Sequence, residues 1–212
     1  METDVHGLPV RPLPDGSDVR RARADELPRV ARILAAAFYD DPVANWVYRD
    51  DGRRLARLDR LFALYLRRLW HRHDECWVTE HDAGAAVWVP PGKAQTGTWE
   101  ELSLMPGTIR GAGRDSVRLL RLLGAFDKVH PHEPENWYLP FIGVTPEYQG
   151  RGFGAALLRP VLERCDADRT PAYLEASAPR NRALYERHGF QVREEIRIGD
   201  SPPAWAMWRE PA

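Results

Sequence analysis

Residues 137–154 read WYLPFIGVTPEYQGRGFG. An apolar run over Trp137–Val144 leads into a turn, and Gly150, Gly152 and Gly154 then open an apolar-periodic stretch through Cys165. The run predicts a buried strand and the stretch after it a helix. Glycine allows backbone to approach a ligand closely, because no Cβ intervenes. The first amides of a helix have no intrahelical partner and carry partial positive charge. Together these features predict a cradle for a phosphorylated cofactor.

Two glycine patterns fit the cradle. Gly150, Gly152 and Ala155 satisfy G-x-G-x-x-G/A, with Glu175 downstream where a ribose-binding acid belongs. Against that reading, Thr145-Pro146-Glu147-Tyr148-Gln149 separate strand from glycine. Too few residues follow the motif to complete a doubly wound sheet. The second pattern, Q-x-x-G-x-G over Gln149–Gly154, sits between a strand ending in GVTP and a helix. It resembles the acetyl-CoA signature of the GNAT superfamily of N-acetyltransferases.

The resemblance extends beyond the motif. ELPRVARILAAAFYDDP (26–42) looks like a first helix of that superfamily, GAAVWVPPG (84–92) like its central hairpin, and YLEASAPRNRALYERHGF (173–190) like its next strand and helix. With HEPENWYLPFIGV (132–144), these segments are similar to the puromycin N-acetyltransferase group over almost the whole chain.

The resemblance implies an α/β fold in one domain, a mixed and mostly antiparallel central sheet flanked by helices. It implies acetyl-CoA as co-substrate and transfer of its acetyl group to a primary amine of a small molecule, with drug detoxification as an attractive role. The central strand is expected to splay from its neighbour just before the turn. Main-chain groups of Ile142, Gly143 and Val144 would then pair with the pantetheine arm, and one N–H would polarise the acetyl carbonyl. Gln149, Gly150, Arg151, Gly152, Phe153, Gly154 and Ala155 form the motif; the amides of 150–155 would bind the pyrophosphate. Arg151 adds a charged contact or is simply solvated. Gly143 suits close approach of a ligand, or a bulge.

Asn181 and Tyr185 lie four apart and share a helix face. The matching positions put Asn181 near the pantetheine and the Tyr185 hydroxyl near the sulfur. A phenol titrating near 10 can protonate a thiolate whose thiol titrates near 8.5. Glu175 stands mid-strand among apolar residues. A buried carboxylate there can take a proton from an ammonium or bind it; an arginine salt bridge is the alternative. Phe38, Tyr39, Trp46 and Tyr48 flank the break between the first two helices, where aromatic walls suit a flat or hydrophobic amine. Asp40 and Asp41 read as a helix end rather than an ammonium site.

Other clusters read as structural. His130, His132, Glu133 and Glu135 fit a solvated loop. His71-x-His73 and His130-x-His132 lack a carboxylate or Cys to complete a metal set, so no metal is expected. Arg110, Arg114, Arg118 and Arg121 recur on one helix face and read as solvated. Cys76 and Cys165 read as buried thiols, and neither lies in the motif, which favours direct attack in a ternary complex.

Lys and Arg number 30 against 31 Asp and Glu, a net charge of −1, so no bulk field attracts nucleic acid or an anionic membrane. No signal-like or membrane-spanning apolar run is evident, and a cytoplasmic location is expected. Residues 1–17 read as a mobile tail before a domain over 18–212. Monomer and homodimer remain open, as do two rival functions on this scaffold: a protein or peptide acetyltransferase and a non-catalytic CoA sensor.

The remaining expected elements are a strand at 18–23 and a helix capped by Asp25, with a second helix through Leu55–Leu69. A hairpin is expected at 76–80 and 85–89, then helices over 98–127 broken at Pro106-Gly107 and 111–113. Pro160 is expected to kink or end its helix. Strands at 173–176, 191–198 and 204–208 and a helix at 179–188 complete the reading.

Overall fold

The computed structural model describes residues 19–79, 81–94 and 98–212, with backbone only over 98–102. The expected tail lies outside the described residues, as do Asp18 and Glu80 of the expected strands. One sheet runs in the order β1 (Val19–Arg21), β2 (Cys76–Thr79), β3 (Gly84–Val89), β4 (Trp137–Val144), β5 (Ala172–Ala176), β7 (Ala204–Arg209), β6 (Gln191–Ile196). Only β4 and β5 pair in parallel; every other neighbouring pair is antiparallel. This is the mixed, mostly antiparallel sheet that the resemblance implied.

Helices cover both faces: α1 (Leu27–Ala37), α2 (Pro42–Val47), α3 (Asp51–Tyr65), α4 (Thr98–Ala112), α5 (Ser116–Val129), α6 (Phe153–Ala167) and α7 (Pro179–Arg187). Val30 and Leu34 of α1 and Phe62 of α3 pack with Val87 on one face. Leu157, Leu158 and Val161 of α6 pack with Trp88, Leu139, Leu174 and Met207 on the other. Each fully buried aliphatic side chain contributes roughly 1.5–3 kcal/mol, so both layers are firmly seated.

Several expected boundaries move. Asp25 does not cap α1, because a 3-10 turn over Ala24–Glu26 precedes the helix. Glu26 stands there instead, accepting from the Arg23 amide at 2.9 Å and from Arg20 at 2.7 Å. Helix α4 runs through Pro106 and Gly107. Gly107 serves interhelical contact, since a Cβ there would meet Leu64 Cδ2 at 3.0 Å. The break comes at Gly113, whose φ is +59°. Helix α6 likewise continues past Pro160. α1 ends at Ala37, before a turn over 38–40 and earlier than expected, while Asp41-Pro42 starts α2, where Asp41 is the cap and proline occupies the first turn.

β4 and β5 pair only over Trp137–Leu139 and Ala172–Leu174. Beyond that point β4 stays with β3 to Val144 and β5 stays with β7 to Ala176, so the two strands part. Pro140, at the parting, has no N–H to offer a ladder. An extra β4 residue opposite Val87–Val89 makes a bulge there. Tyr138 and Phe141 consequently share one face, and Leu139 and Ile142 the other, a spacing of three in place of two. Gly143 faces α1: a Cβ there would sit 2.5 Å from Ala37 Cβ. Its lack of a side chain admits the helix, a packing reason that stands beside the ligand approach or bulge expected from the sequence.

Candidate active site

A cleft partly open to solvent lies over the parted strands. Its walls come from α1 and α2 (Phe38, Asp41, Val47, Tyr48), α3 (Leu58, Phe62), α5 (Leu119, Leu122, Phe126), β4 (Leu139–Ile142), and the β5–α7 segment (Glu175, Ser177, Asn181, Tyr185). The expected residues Glu175, Asn181, Tyr185, Ile142, Phe38 and Tyr48 therefore meet in one place. Tyr39 and Trp46 do not line it. Trp46 turns away and donates its indole N–H to Asp200 at 2.8 Å, fastening α2 to the β6–β7 turn. Tyr39 lies under the Arg54 guanidinium, 5.2 Å from the ring centre, and donates to the Asp51 carbonyl.

Glu175 has a side chain only 3% exposed. Its Oε2 accepts from the Tyr138 hydroxyl at 2.9 Å, while Oε1 has no hydrogen-bond partner among the described residues. The His130 ring lies near it, with Nδ1 at 3.9 Å from Oε1, and among the described residues no arginine pairs with Glu175. His130 had read as part of a solvated loop. The chain leaving α5 instead folds its ring back, edge-on to Tyr138 and Tyr173 at 4.6 and 4.9 Å. Burial, reinforced by the Glu175 charge, holds Tyr138 and Tyr173 well above the ordinary phenol range, so both stay protonated.

Tyr185 is buried at the cleft with Asn181 one turn earlier on α7. Burial first, then the nearby Asp41 charge, raises its pKa, which keeps the proton on the oxygen. Asp41 is itself buried. Its Oδ1 accepts from the Val43 and Ala44 amides at 2.9 and 3.0 Å, and its Oδ2 from Ser177 Oγ at 2.5 Å. Burial raises its pKa against those hydrogen bonds. Read only as a helix end, Asp41 proves to be a second cleft carboxylate. The Asp-Pro pair that opens a helix was the available signal. Ser177 and Phe141 lie inside the segments that carry the resemblance but drew no role there, and the α5 residues carried no motif at all.

The motif turn is braced from within. Gln149 Nε2 donates to the Val144 carbonyl at 2.9 Å, and buried Phe153 meets Tyr148 edge-on at 5.7 Å. Arg151 is exposed, its guanidinium 5.5 Å from the Tyr148 ring centre. Gly150 and Gly152 have φ of +77° and +87°, a region that favours glycine. A Cβ on Gly150 would meet nothing within 4 Å, so the turn is open there. Ala156 N–H donates to the Gly152 carbonyl at 3.0 Å, so the amides of Phe153, Gly154 and Ala155 precede the first helical bond. Gly154 abuts α7, where a Cβ would meet Leu184 Cδ2 at 3.0 Å.

Free amides of a helix N-terminus beside an open glycine turn suit an anionic phosphate group. The unpaired β4 edge next to them suits an amide-bearing arm laid along the strand. Among the described residues no group of three or more His, Cys, Asp or Glu is placed to hold a metal. Cys76 and Cys165 are buried and free, and burial pushes both thiols up to about 12, so neither offers a thiolate near neutrality.

Residues 27–190 match the model of the acetyltransferase (GNAT) family. The chain is 28% identical over 208 residues to an uncharacterized N-acetyltransferase of Schizosaccharomyces pombe, covering 91% of this chain and 83% of that protein. Its structure resembles that of the histone acetyltransferase HPA2 and related acetyltransferase from Corynebacterium glutamicum: TM-score 0.70, 26% identity, 92% of this chain and 96% of that one. Arylalkylamine N-acetyltransferase 2 from Aedes aegypti shares the fold at a TM-score of 0.60 and 12% identity, over 92% and 98% of the two chains.

Proposed function

On the premise that this chain belongs to the acetyltransferase (GNAT) family, an N-acetyltransferase family that uses acetyl-CoA, we propose that it acetylates a primary amine of a small molecule. The observation that carries the acceptor side is Glu175 Oε1, a buried carboxylate oxygen with no hydrogen-bond partner among the described residues, in a cleft that also contains Tyr185. An alkylammonium supplies the missing donor.

Acetyl-CoA brings an activated thioester and a thiol leaving group. The amides of Phe153–Ala155 and the Gly150–Gly152 turn hold its diphosphate, and the β4 edge over Ile142–Val144 pairs with its arm. One N–H of that edge polarises the thioester carbonyl. Glu175 Oε1 takes a proton from the ammonium, directly or through a water, leaving a neutral nitrogen to form the C–N bond. As the C–S bond breaks, the Tyr185 O–H delivers a proton to sulfur. Tyr185 is reprotonated as the amide product loses its remaining extra N–H proton. The sum is ammonium plus thioester giving amide, thiol and one proton, which Glu175 releases to solvent.

Support for a small acceptor comes from the walls: Leu119, Leu122 and Phe126 of α5 face α2 and α3 across the cleft, which favours a pocket over an open peptide groove. The test is thiol release from acetyl-CoA against a panel of amines that includes puromycin, the acceptor class suggested by the sequence resemblance. Release that requires a small amine supports the reading. Release only with peptides, or with no amine, overturns it.

A further inference from the structure

Two buried polar atoms of the cleft residues lack a partner among the described residues: Glu175 Oε1 and the Tyr48 hydroxyl. The reaction gives the first a role and the second none. Tyr48 follows α2, is 2% exposed and lines the cleft. Leaving a buried hydroxyl without a hydrogen bond is costly, and such an exception calls for an explanation.

Tyr48 and Glu175 have different neighbours. The groups whose charge acts on Tyr48 include Asp115, Tyr65 and Arg57, on and between α3 and α5. Asp115 is already engaged by Arg57 and Arg118. Glu175 is ringed by Tyr138, Tyr173 and His130. Burial keeps the Tyr48 phenol neutral, able both to donate and to accept. The remaining lining is largely apolar, including Phe38, Phe62 and Phe141 packed ring to ring at 5.4, 5.9 and 4.9 Å. Among the described residues the lining includes no Lys, Arg or His, and its carboxylates are Asp41 and Glu175.

We propose that the acceptor is an apolar amine carrying a neutral hydrogen-bonding group remote from its nitrogen: the ammonium meets Glu175, the body lies against the phenylalanine rings, and the distal group completes Tyr48. This rests on the acetyl-transfer reading and deepens it by naming the acceptor class. An anionic tail would enter a lining with two carboxylates and no cation, so amino acids with a free carboxylate are rejected.

The experiment uses the full chain, acetyl-CoA and a homologous series of ω-hydroxyalkylamines, each compared with its n-alkylamine and its ω-aminocarboxylate by kcat/KM. At the best chain length the hydroxy compound is favoured by up to about tenfold, the size of one neutral hydrogen bond, and the carboxylates are the poorest. Tyr48→Phe removes that preference. Without ligand it melts no lower than wild type, because the hydroxyl makes no hydrogen bond among the described residues. No hydroxyl preference at any length, a wild-type preference in Tyr48→Phe, or a lowered melting temperature overturns the proposal. Turnover of n-alkylamines without hydroxyl preference ends this inference alone. Absence of thiol release with every amine ends the acetyl-transfer reading together with it.

Discussion

The motif half and the acceptor half of the candidate site are built by different means. The motif half is backbone: two positive-φ glycines, the first amides of α6 and the free edge of β4. The acceptor half is side chains delivered by α1, α2, α3, α5, β4 and β5. A backbone-built site marks its sequence, because few residues other than glycine adopt φ near +80° without cost. A side-chain-built pocket accepts any apolar residue of suitable volume and leaves no local pattern. Recognition of the motif therefore carries the coenzyme half and leaves the acceptor to be read from geometry.

Breaking the chemistry without touching the coenzyme half gives the largest effect. Tyr185→Phe removes one hydroxyl and should lower kcat about 10²–10⁴-fold, the usual range for a lost general acid. Calorimetric affinity for acetyl-CoA should stay near wild type. An equal loss in both would move Tyr185 into the coenzyme half. Next, Glu175→Gln keeps an oxygen for Tyr138 but cannot take a proton; kcat/KM for the amine should fall about 100-fold. Below an amine pKa of about 10, each pH unit raises the neutral amine about tenfold. The variant's rate should therefore climb more steeply with pH than wild type, and parallel profiles would deny Glu175 the proton.

What the sequence makes legible follows the same division. The strand over Trp137–Val144, the Gly152 turn and the Asn181–Tyr185 spacing are local, and the structure places them as the pattern implies. Glu175 was visible as an acid among apolar neighbours, but its partners arrive from β4 and α5, through contacts far apart in the chain. His130 and Asp41 were misread for that reason. Among the aromatics, Phe38 and Tyr48 turn inward while Tyr39 and Trp46 turn away. Composition gives no direction; the helix start sets it, and Asp41 fixes that start for α2.

Gly143 tests the distinction within β4. Gly143→Ala would place a methyl 2.5 Å from Ala37 Cβ, which is fixed directly to the α1 backbone and cannot rotate away. Overpacking of this kind costs about 1–3 kcal/mol, at roughly 2–4 °C per kcal/mol in a chain of this size. A thermal melt equal to wild type would remove helix packing as the reason for the glycine. Asp41 supplies a smaller effect through pH. Burial raises its folded pKa above the unfolded value, so its contribution is fully present below about pH 4 and is lost as pH rises through the folded value. Asp41→Asn keeps an oxygen for the α2 cap and should flatten that decline in urea midpoints; an unchanged slope would assign the decline elsewhere.

The smallest stability effect belongs to Gly154, where the two halves touch. Gly154→Ala gains up to about 1 kcal/mol of helix propensity, reduced by its place in the first turn. Against this, the new methyl meets Leu184 Cδ2 at 3.0 Å, the flexible tip of a side chain that can give way. The two contributions nearly cancel, so melting should shift by no more than a few degrees. Activity should respond more, because Leu184 lies on α7 between Asn181 and Tyr185 and its displacement is passed to both. Small misplacement of a catalytic group is costly even where stability is unmoved, so a severalfold fall in kcat with nearly constant Tm is expected. A parallel fall in both would mean that the halves share one packing unit, whereas no change in either would mean that α7 does not sense α6.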